Sequence, residues 1–273
     1  MKYVIDHDCH IHSYLSPCAA DPLQTKERIL RYAKENNYKR VCVTDHFWDE
    51  LVPYTAPAEK WSRWCEGNSF EHISEILPLP EDKDVKFMFG CETDMDLYHN
   101  IGVSRERMEL FDFIIIATSH FHLRDFSLKD GATLEERAAA WVDKFDALLD
   151  MDLPFYKVGV AHLSLGLWGK YKDGTPFNAW PLISDDTMKR LFSKAADKGI
   201  GVELNLDIRG NEEFDSVETR PFRIAKECGC KFYLGSDAHT ASYLDTGAFS
   251  KFQKVVDYLE LKESDKFIFT DKD

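Results

Sequence analysis

What the sequence lacks narrows the field first. No apolar run approaches the ~18 residues a membrane-spanning helix needs; Phe113 to Ala117 is typical of the longest. No secretory signal is expected either, because Asp6, His7 and Asp8 stand where an uncharged apolar stretch would lie. The cysteines form no disulfide framework. There are seven, irregularly spaced and mostly inside apolar segments (Cys42, Cys91, Cys228, Cys230), which suits reduced thiols and a cytoplasmic location. Basic residues are few. With 34 Lys+Arg against 48 Asp+Glu the net charge is −14, and no stripe of basic and aromatic residues relieves it, which argues against a nucleic-acid partner. Cys18 has no arginine spaced to form a thiol-phosphatase loop.

What is present is an alternation of short β-branched or aromatic runs with longer amphipathic stretches. Strands are predicted over residues 3–8, 40–44, 85–91, 111–118, 155–161, 200–206 and 231–235, with a late strand over 266–270. Helices are predicted over 23–35, 134–149, 185–197, 219–227 and 249–259. Asp21-Pro22 and Ser184-Asp185-Asp186 read as N-terminal caps, and Gly199 and Gly229 as helix ends. About seven strand–helix units without a composition break predict an α/β barrel filling one domain, 1–273. Irregular insertions near 48–79 and 165–183 would lie over its open face.

The histidines carry the chemistry. Six of the ten, His10, His12, His46, His120, His162 and His239, fall at predicted strand ends, accompanied by Asp8, Asp45, Glu92, Asp94 and Asp237. In a parallel barrel all strand C-termini open on one face, so these residues converge there. His10 and His12, two apart in an extended segment, project from one side. Imidazole with carboxylate suits zinc, manganese or iron, and a carboxylate between two such sets can bridge neighbouring ions. Asp8 and Asp45 are expected to orient histidine rings. His7, His72, His99 and His122 are expected to be structural or superficial.

The motifs Asp8-Cys9-His10-Ile11-His12-Ser13, Thr44-Asp45-His46, Gly90-Cys91-Glu92, Ser119-His120, Ala161-His162-Leu163 and Gly235-Ser236-Asp237-Ala238-His239 occur in this order. Together, over roughly residues 5–240, they resemble the successive motifs of the PHP (polymerase and histidinol phosphatase) family. The resemblance implies a distorted seven-stranded (β/α) barrel holding two or three divalent ions. It further implies that His10, His12, Glu92 and Asp237 ligate a first ion, and Glu92, His120 and His162 a second, with His46 and His239 belonging to a third. Many members carry His or Asp where this chain has Cys18. Cys18 could ligate as a thiolate, Asp21 could replace it, the third position could be weak or empty, or Cys18 could be a buried inert thiol.

Three stretches are similar to histidinol-phosphate phosphatases in particular: Ser119-His120-Phe121-His122-Leu123, the segment from Ala161 to Lys170-Tyr171, and Glu203-Leu204-Asn205 with Arg209-Gly210. Arg209, just beyond a predicted strand, would fork onto phosphate oxygens, with Arg124 and Arg220 as weaker candidates. The expected reaction is hydrolysis of a small phosphomonoester, L-histidinol phosphate first. A metal-bridging hydroxide, with Glu92 as the carboxylate bridging the ions, would attack phosphorus in line while the metals and Arg209 take up charge, and His239, Asp237 or metal-bound water would protonate the leaving alkoxide. A nuclease or nucleotide phosphoesterase and a non-catalytic metal-binding module are the alternatives.

Overall fold

The computed structural model describes residues 1–19, 21–53, 59–171, 174–205, 219–245 and 248–270. Seven strands line the barrel: β1 (His7–Ile11), β2 (Arg40–Val43), β3 (Lys86–Asp94), β4 (Phe113–Ala117), β5 (Val158–Ala161), β8 (Gly201–Leu204) and β9 (Lys231–Leu234). They hydrogen-bond in that order, and every pairing is parallel. The barrel nearly closes. Beyond β9, the Asp237 amide donates to His10 O (2.8 Å) and the His12 amide to Ala238 O (3.0 Å), joining the last strand's exit to β1.

Nine helices are found among the described residues: α1 (Lys26–Glu35), α2 (Glu59–Gly67), α3 (Phe70–Ile73), α4 (Arg105–Met108), α5 (Leu134–Asp150), α6 (Asp185–Lys198), α7 (Arg220–Glu227), α8 (Ala241–Asp245) and α9 (Ala248–Tyr258). Their ends follow local chemistry. Thr133 and Glu136 form a reciprocal capping box on α5, and the Ser184 hydroxyl accepts the Thr187 amide (3.1 Å) at the start of α6. Gly199 ends α6 in the left-handed region at φ 75°. Asp21 does not cap α1. That role falls to Thr25, whose hydroxyl accepts the Arg28 amide (3.3 Å). On α5, Ala138, Trp141, Phe145 and Leu148 recur every three or four residues and are buried in the layer between helices and barrel.

A second core fills the barrel itself, with Cys9, Cys42, Met88, Phe113, Ile115, Ala161, Tyr233 and Phe267 buried together. Phe267 comes from the predicted late strand, which is absent: the segment makes a single bridge, Phe232 to Lys266, and inserts its aromatic ring into the barrel. β1 also lies further along the chain than its apolar run indicates, because His7, Asp8 and His10 occupy the strand itself.

The predicted insertions contain short ordered elements. In the first, α2 packs Trp61 and Cys65 against Trp48, Leu123 and Phe126, and the Trp61 indole donates to Arg124 O (3.0 Å). The second contains an antiparallel hairpin, β6 (Trp168–Lys170) with β7 (Pro176–Asn178). No helix among the described residues is long and apolar enough to cross a membrane.

Candidate metal centre

The open face of the barrel gathers the polar residues that its strands bury. His10, His12 and Glu203 have essentially no exposed surface, and Glu92 is 1% exposed. Backbone geometry is specialised here: His162 (φ 52°) and Asp237 (φ 54°) adopt left-handed conformations, which cost L-residues about 1 kcal/mol each. Gly235 allows a close approach, since a Cβ there would run into Glu203 Oε1 and into His10 Cβ at 2.6 Å.

Hydrogen bonds fix the ring orientations. His10 Nδ1 donates to Glu203 Oε1 (2.5 Å), His120 Nδ1 to Asp94 Oδ1 (2.6 Å) and His239 Nδ1 to Asp237 O (2.7 Å). His12 Nδ1 lies 2.9 Å from Ser16 Oγ. The Ser16 hydroxyl already gives its hydrogen to Asp45 Oδ1 (2.7 Å), so it accepts from His12. All four rings, when neutral, therefore carry hydrogen on Nδ1 and keep a lone pair on Nε2.

Those nitrogens converge. His10 Nε2 and His12 Nε2 are 3.2 Å apart. Asp237 Oδ1 stands 3.4 and 3.0 Å from them, and Glu92 Oε2 stands 3.5 and 3.3 Å from them. A tetrahedral ion with donors at about 2.0–2.1 Å has donor–donor spacings of about 3.3–3.4 Å, close to these five separations of 3.0–3.5 Å. Glu92 faces two ways: Oε1 lies 2.9 Å from His162 Nε2 and 3.5 Å from His120 Nε2, while Oε2 also lies 3.2 Å from His46 Nδ1. Glu92 Oε2, Asp237 Oδ1 and His46 Nδ1 are buried without a hydrogen-bond partner, as expected of atoms arranged for a cation.

The expected first and second ligand sets thus meet in space. The donor atoms also divide into two compact sets, each within 4.8 Å: His10, Glu92, His162 and Asp237, and His12, Cys18, His46 and His239. His12 and His162 therefore border more than one position. Cys18 is an exposed thiol, contrary to the reading that buries it. Asp21, the alternative to it, is occupied in accepting the Leu23 (3.0 Å) and Ala241 (2.9 Å) amides.

Without metal, burial pulls these imidazoles down and the carboxylates push them up. For His10 the carboxylates win: Glu203, then Glu92 and Asp237, hold it well above its usual range. Burial likewise lowers His12 and His120, yet Asp237 with Glu92, and Asp94 with Glu92, bring each to about 9. His46 is pushed down to about 3 by burial. The metal-free centre is therefore proton-loaded, and ions entering it displace protons.

Of the expected orienting groups, Asp45 acts on His12 through Ser16. Asp8 hydrogen-bonds none of these rings, accepting instead from the Ser236 amide and the Tyr32 hydroxyl (both 2.9 Å). Burial raises its pKa to about 6, against the pull of those hydrogen bonds. Glu203 is the residue that sequence reasoning passed over as a functional side chain. It holds His10 and accepts the His162 amide at Oε2 (3.0 Å). Its signal was a carboxylate inside an otherwise apolar strand, which must find a partner when buried. Ser16 carried no comparable signal.

His7 is structural, its Nε2 accepting the Leu234 amide (3.0 Å), while His72 bonds Leu15 O and His99 bonds Asp143. His122 differs. Its ring centroid lies 5.0 Å from that of His120, and it lines a cavity of about 650 Å³ with Phe121, Arg124, Arg137, Trp168 and Lys170. Arg124 also pairs with Asp130 (3.1 Å). Arg220 is tied to Asp185, Trp180 O and Ile183 O, so it is not available to a phosphate. Arg209 lies outside the described residues.

The model of the PHP domain family matches residues 8–207. No curated protein matches the chain. Among solved structures, a histidinol phosphate phosphatase from Lactococcus lactis subsp. lactis, complexed with zinc, L-histidinol and phosphate, is similar with a TM-score of 0.59 at 15% identity, covering 96% of this chain and 98% of that one. A protein from Listeria monocytogenes described as a histidinol phosphatase gives 0.62 at 15% identity, covering 90% and 99%. At this identity the likeness is one of fold.

Proposed function

Because the chain belongs to the PHP domain family, we propose that it is a metal-dependent phosphomonoesterase whose first substrate to test is L-histidinol phosphate. The observation carrying this reading is the convergence of oriented imidazole nitrogens on the partnerless oxygens of Glu92 and Asp237. Two or three divalent ions, zinc, manganese or iron, would be held by His10, His12, Glu92, Asp237, His120, His162, His46 and His239. When bound they supply an activated water and neutralise charge on the phosphoryl group.

The chain's own residues do the rest. Glu92, with one oxygen toward each ligand set, holds neighbouring positions at a fixed separation. Glu203, Asp94 and the Asp45–Ser16 pair keep the ligand rings aimed. His239 and Asp237, with side chains 31% and 26% exposed, are the imidazole and the carboxylate of the centre most open to solvent. We assign them to positioning the water that returns a proton to the leaving alkoxide, since both side chains are also placed as ligands. Arg209 is assigned to the phosphate oxygens, and the cavity beside His122 to the remainder of the substrate. Seven free thiols suit a reducing, cytoplasmic setting. The zinc, L-histidinol and phosphate held by the Lactococcus lactis protein support the choice of substrate by analogy of fold.

The test is a phosphate-release screen over phosphomonoesters and nucleotides, with manganese, zinc and iron supplied separately. L-Histidinol phosphate should be hydrolysed in a chelator-sensitive way and faster than any nucleotide. Faster turnover of nucleotides would shift the assignment to a nucleotide phosphoesterase.

A further inference from the structure

We propose that Cys18 makes the outermost metal position a thiolate-bearing one that selects a thiophilic ion such as zinc over manganese, whereas the inner positions offer only nitrogen and oxygen. This rests on the metal-dependent reading above and adds a division of labour within the centre. The Cys18 sulfur lies in one compact set with ligand atoms of His12, His46 and His239, all within 4.8 Å. His46, 7% exposed, contributes a buried Nδ1 with no hydrogen-bond partner.

The turn carrying Cys18 is anchored to the centre. The Ala19 amide donates to Ser16 O (2.9 Å), and the Ser16 side chain joins Asp45 to His12. The carboxylate nearest in sequence, Asp21, is already held by two backbone amides, so besides His12, which also borders the inner position, this set presents the imidazoles of His46 and His239 and the Cys18 sulfur. Such a donor set matches tetrahedral zinc sites, while manganese favours oxygen-rich octahedral surroundings. The inner set of His10, Glu92, His162 and Asp237 has no sulfur donor. Cys9, Cys42, Cys65, Cys91 and Cys230 are buried and Cys228 is half-buried, so Cys18 is the cysteine of the seven that belongs to an exposed residue.

The test loads the full chain with cobalt(II) and records its absorption spectrum for the parent, Cys18→Ser and Cys18→Asp. The parent should show a near-ultraviolet sulfur-to-cobalt charge-transfer band that both variants lose, while the visible ligand-field bands of the inner cobalt persist. In parallel, chains equilibrated with limiting zinc and excess manganese are analysed for metal. The parent should retain zinc that Cys18→Asp exchanges for manganese. Absence of the band in fully loaded parent, its persistence in Cys18→Ser, or equal zinc retention in parent and Cys18→Asp would overturn the proposal. A chain that shows the band but hydrolyses no phosphomonoester refutes the phosphatase reading alone, and an active chain without the band refutes only this one. Circular dichroism of the variants confirms folding, which an exposed side chain should not disturb.

Discussion

Glu203→Gln is the sharpest perturbation the centre offers, because it is isosteric and changes one thing, the hydrogen on His10. In the parent, Glu203 Oε2 accepts the His162 amide at 3.0 Å and Oε1 accepts His10 Nδ1 at 2.5 Å. A glutamine must keep its oxygen toward the amide, a fixed donor, and so turns its NH2 toward His10 Nδ1. That nitrogen then has to accept, which moves the ring hydrogen to Nε2, the atom facing His12, Glu92 and Asp237. Restoring the lone pair requires flipping the amide and leaving the His162 N–H unsatisfied, a cost of about 1–3 kcal/mol. Metal affinity should fall about 10- to 100-fold, the range for losing such an orienting partner. Competition against a chromophoric chelator measures it, with circular dichroism as the folding control. Affinity within threefold of the parent, less than about 0.7 kcal/mol, would show that Glu203 does not set the His10 tautomer.

Glu92→Gln should abolish turnover and lower metal content more than Cys18→Ser does, since Glu92 faces both inner ligand sets; equal losses in well-folded variants would refute the bridging assignment. Arg209→Ala should raise KM and lower kcat, losing roughly 2–4 kcal/mol of transition-state stabilisation with metal content unchanged, and Arg209→Lys should recover part of it. A change in kcat/KM within twofold would remove Arg209 from the site. His12 and His120, raised to about 9, are protonated at neutral pH without metal. Metal uptake at pH 7 should therefore release protons and strengthen as pH rises toward 9, visible as buffer-dependent binding enthalpies. The metal-free chain should meanwhile lose stability between about 6.5, the unfolded value, and 9, and thermal melts across that window check the sign.

The sequence was most informative where one local rule acts alone. Ser184 and Gly199 bound α6 as their chemistry requires, and α5 differs by a residue from its apolar period. It was least informative where function intrudes on the pattern. β1 was misplaced because His7, Asp8 and His10 replace the apolar residues by which a strand is recognised. Glu203 stands in one of the family-like stretches, yet its role was not legible there, because its strand reads as ordinary core. The late strand failed because Phe267 has the look of a strand residue but is used as a plug in the barrel. The histidines at strand ends were legible because the parallel barrel turns sequence position into spatial convergence. Their tautomers were not, since these depend on Ser16, Asp94 and Glu203, partners found only after folding. The left-handed backbone at His162 and Asp237 likewise has no signature in residues whose side chains are used for something else.

If this cluster holds the ions that perform phosphomonoester hydrolysis, metal content and turnover must rise and fall together. The most direct test is elemental analysis of chelator-free protein, paired with phosphate release from L-histidinol phosphate in the same samples before chelation, after it, and after metal is returned. At least two transition-metal ions per chain are expected, with activity that disappears on chelation and returns with metal. Less than one ion per chain, with no activation on adding manganese, zinc or iron, would contradict it.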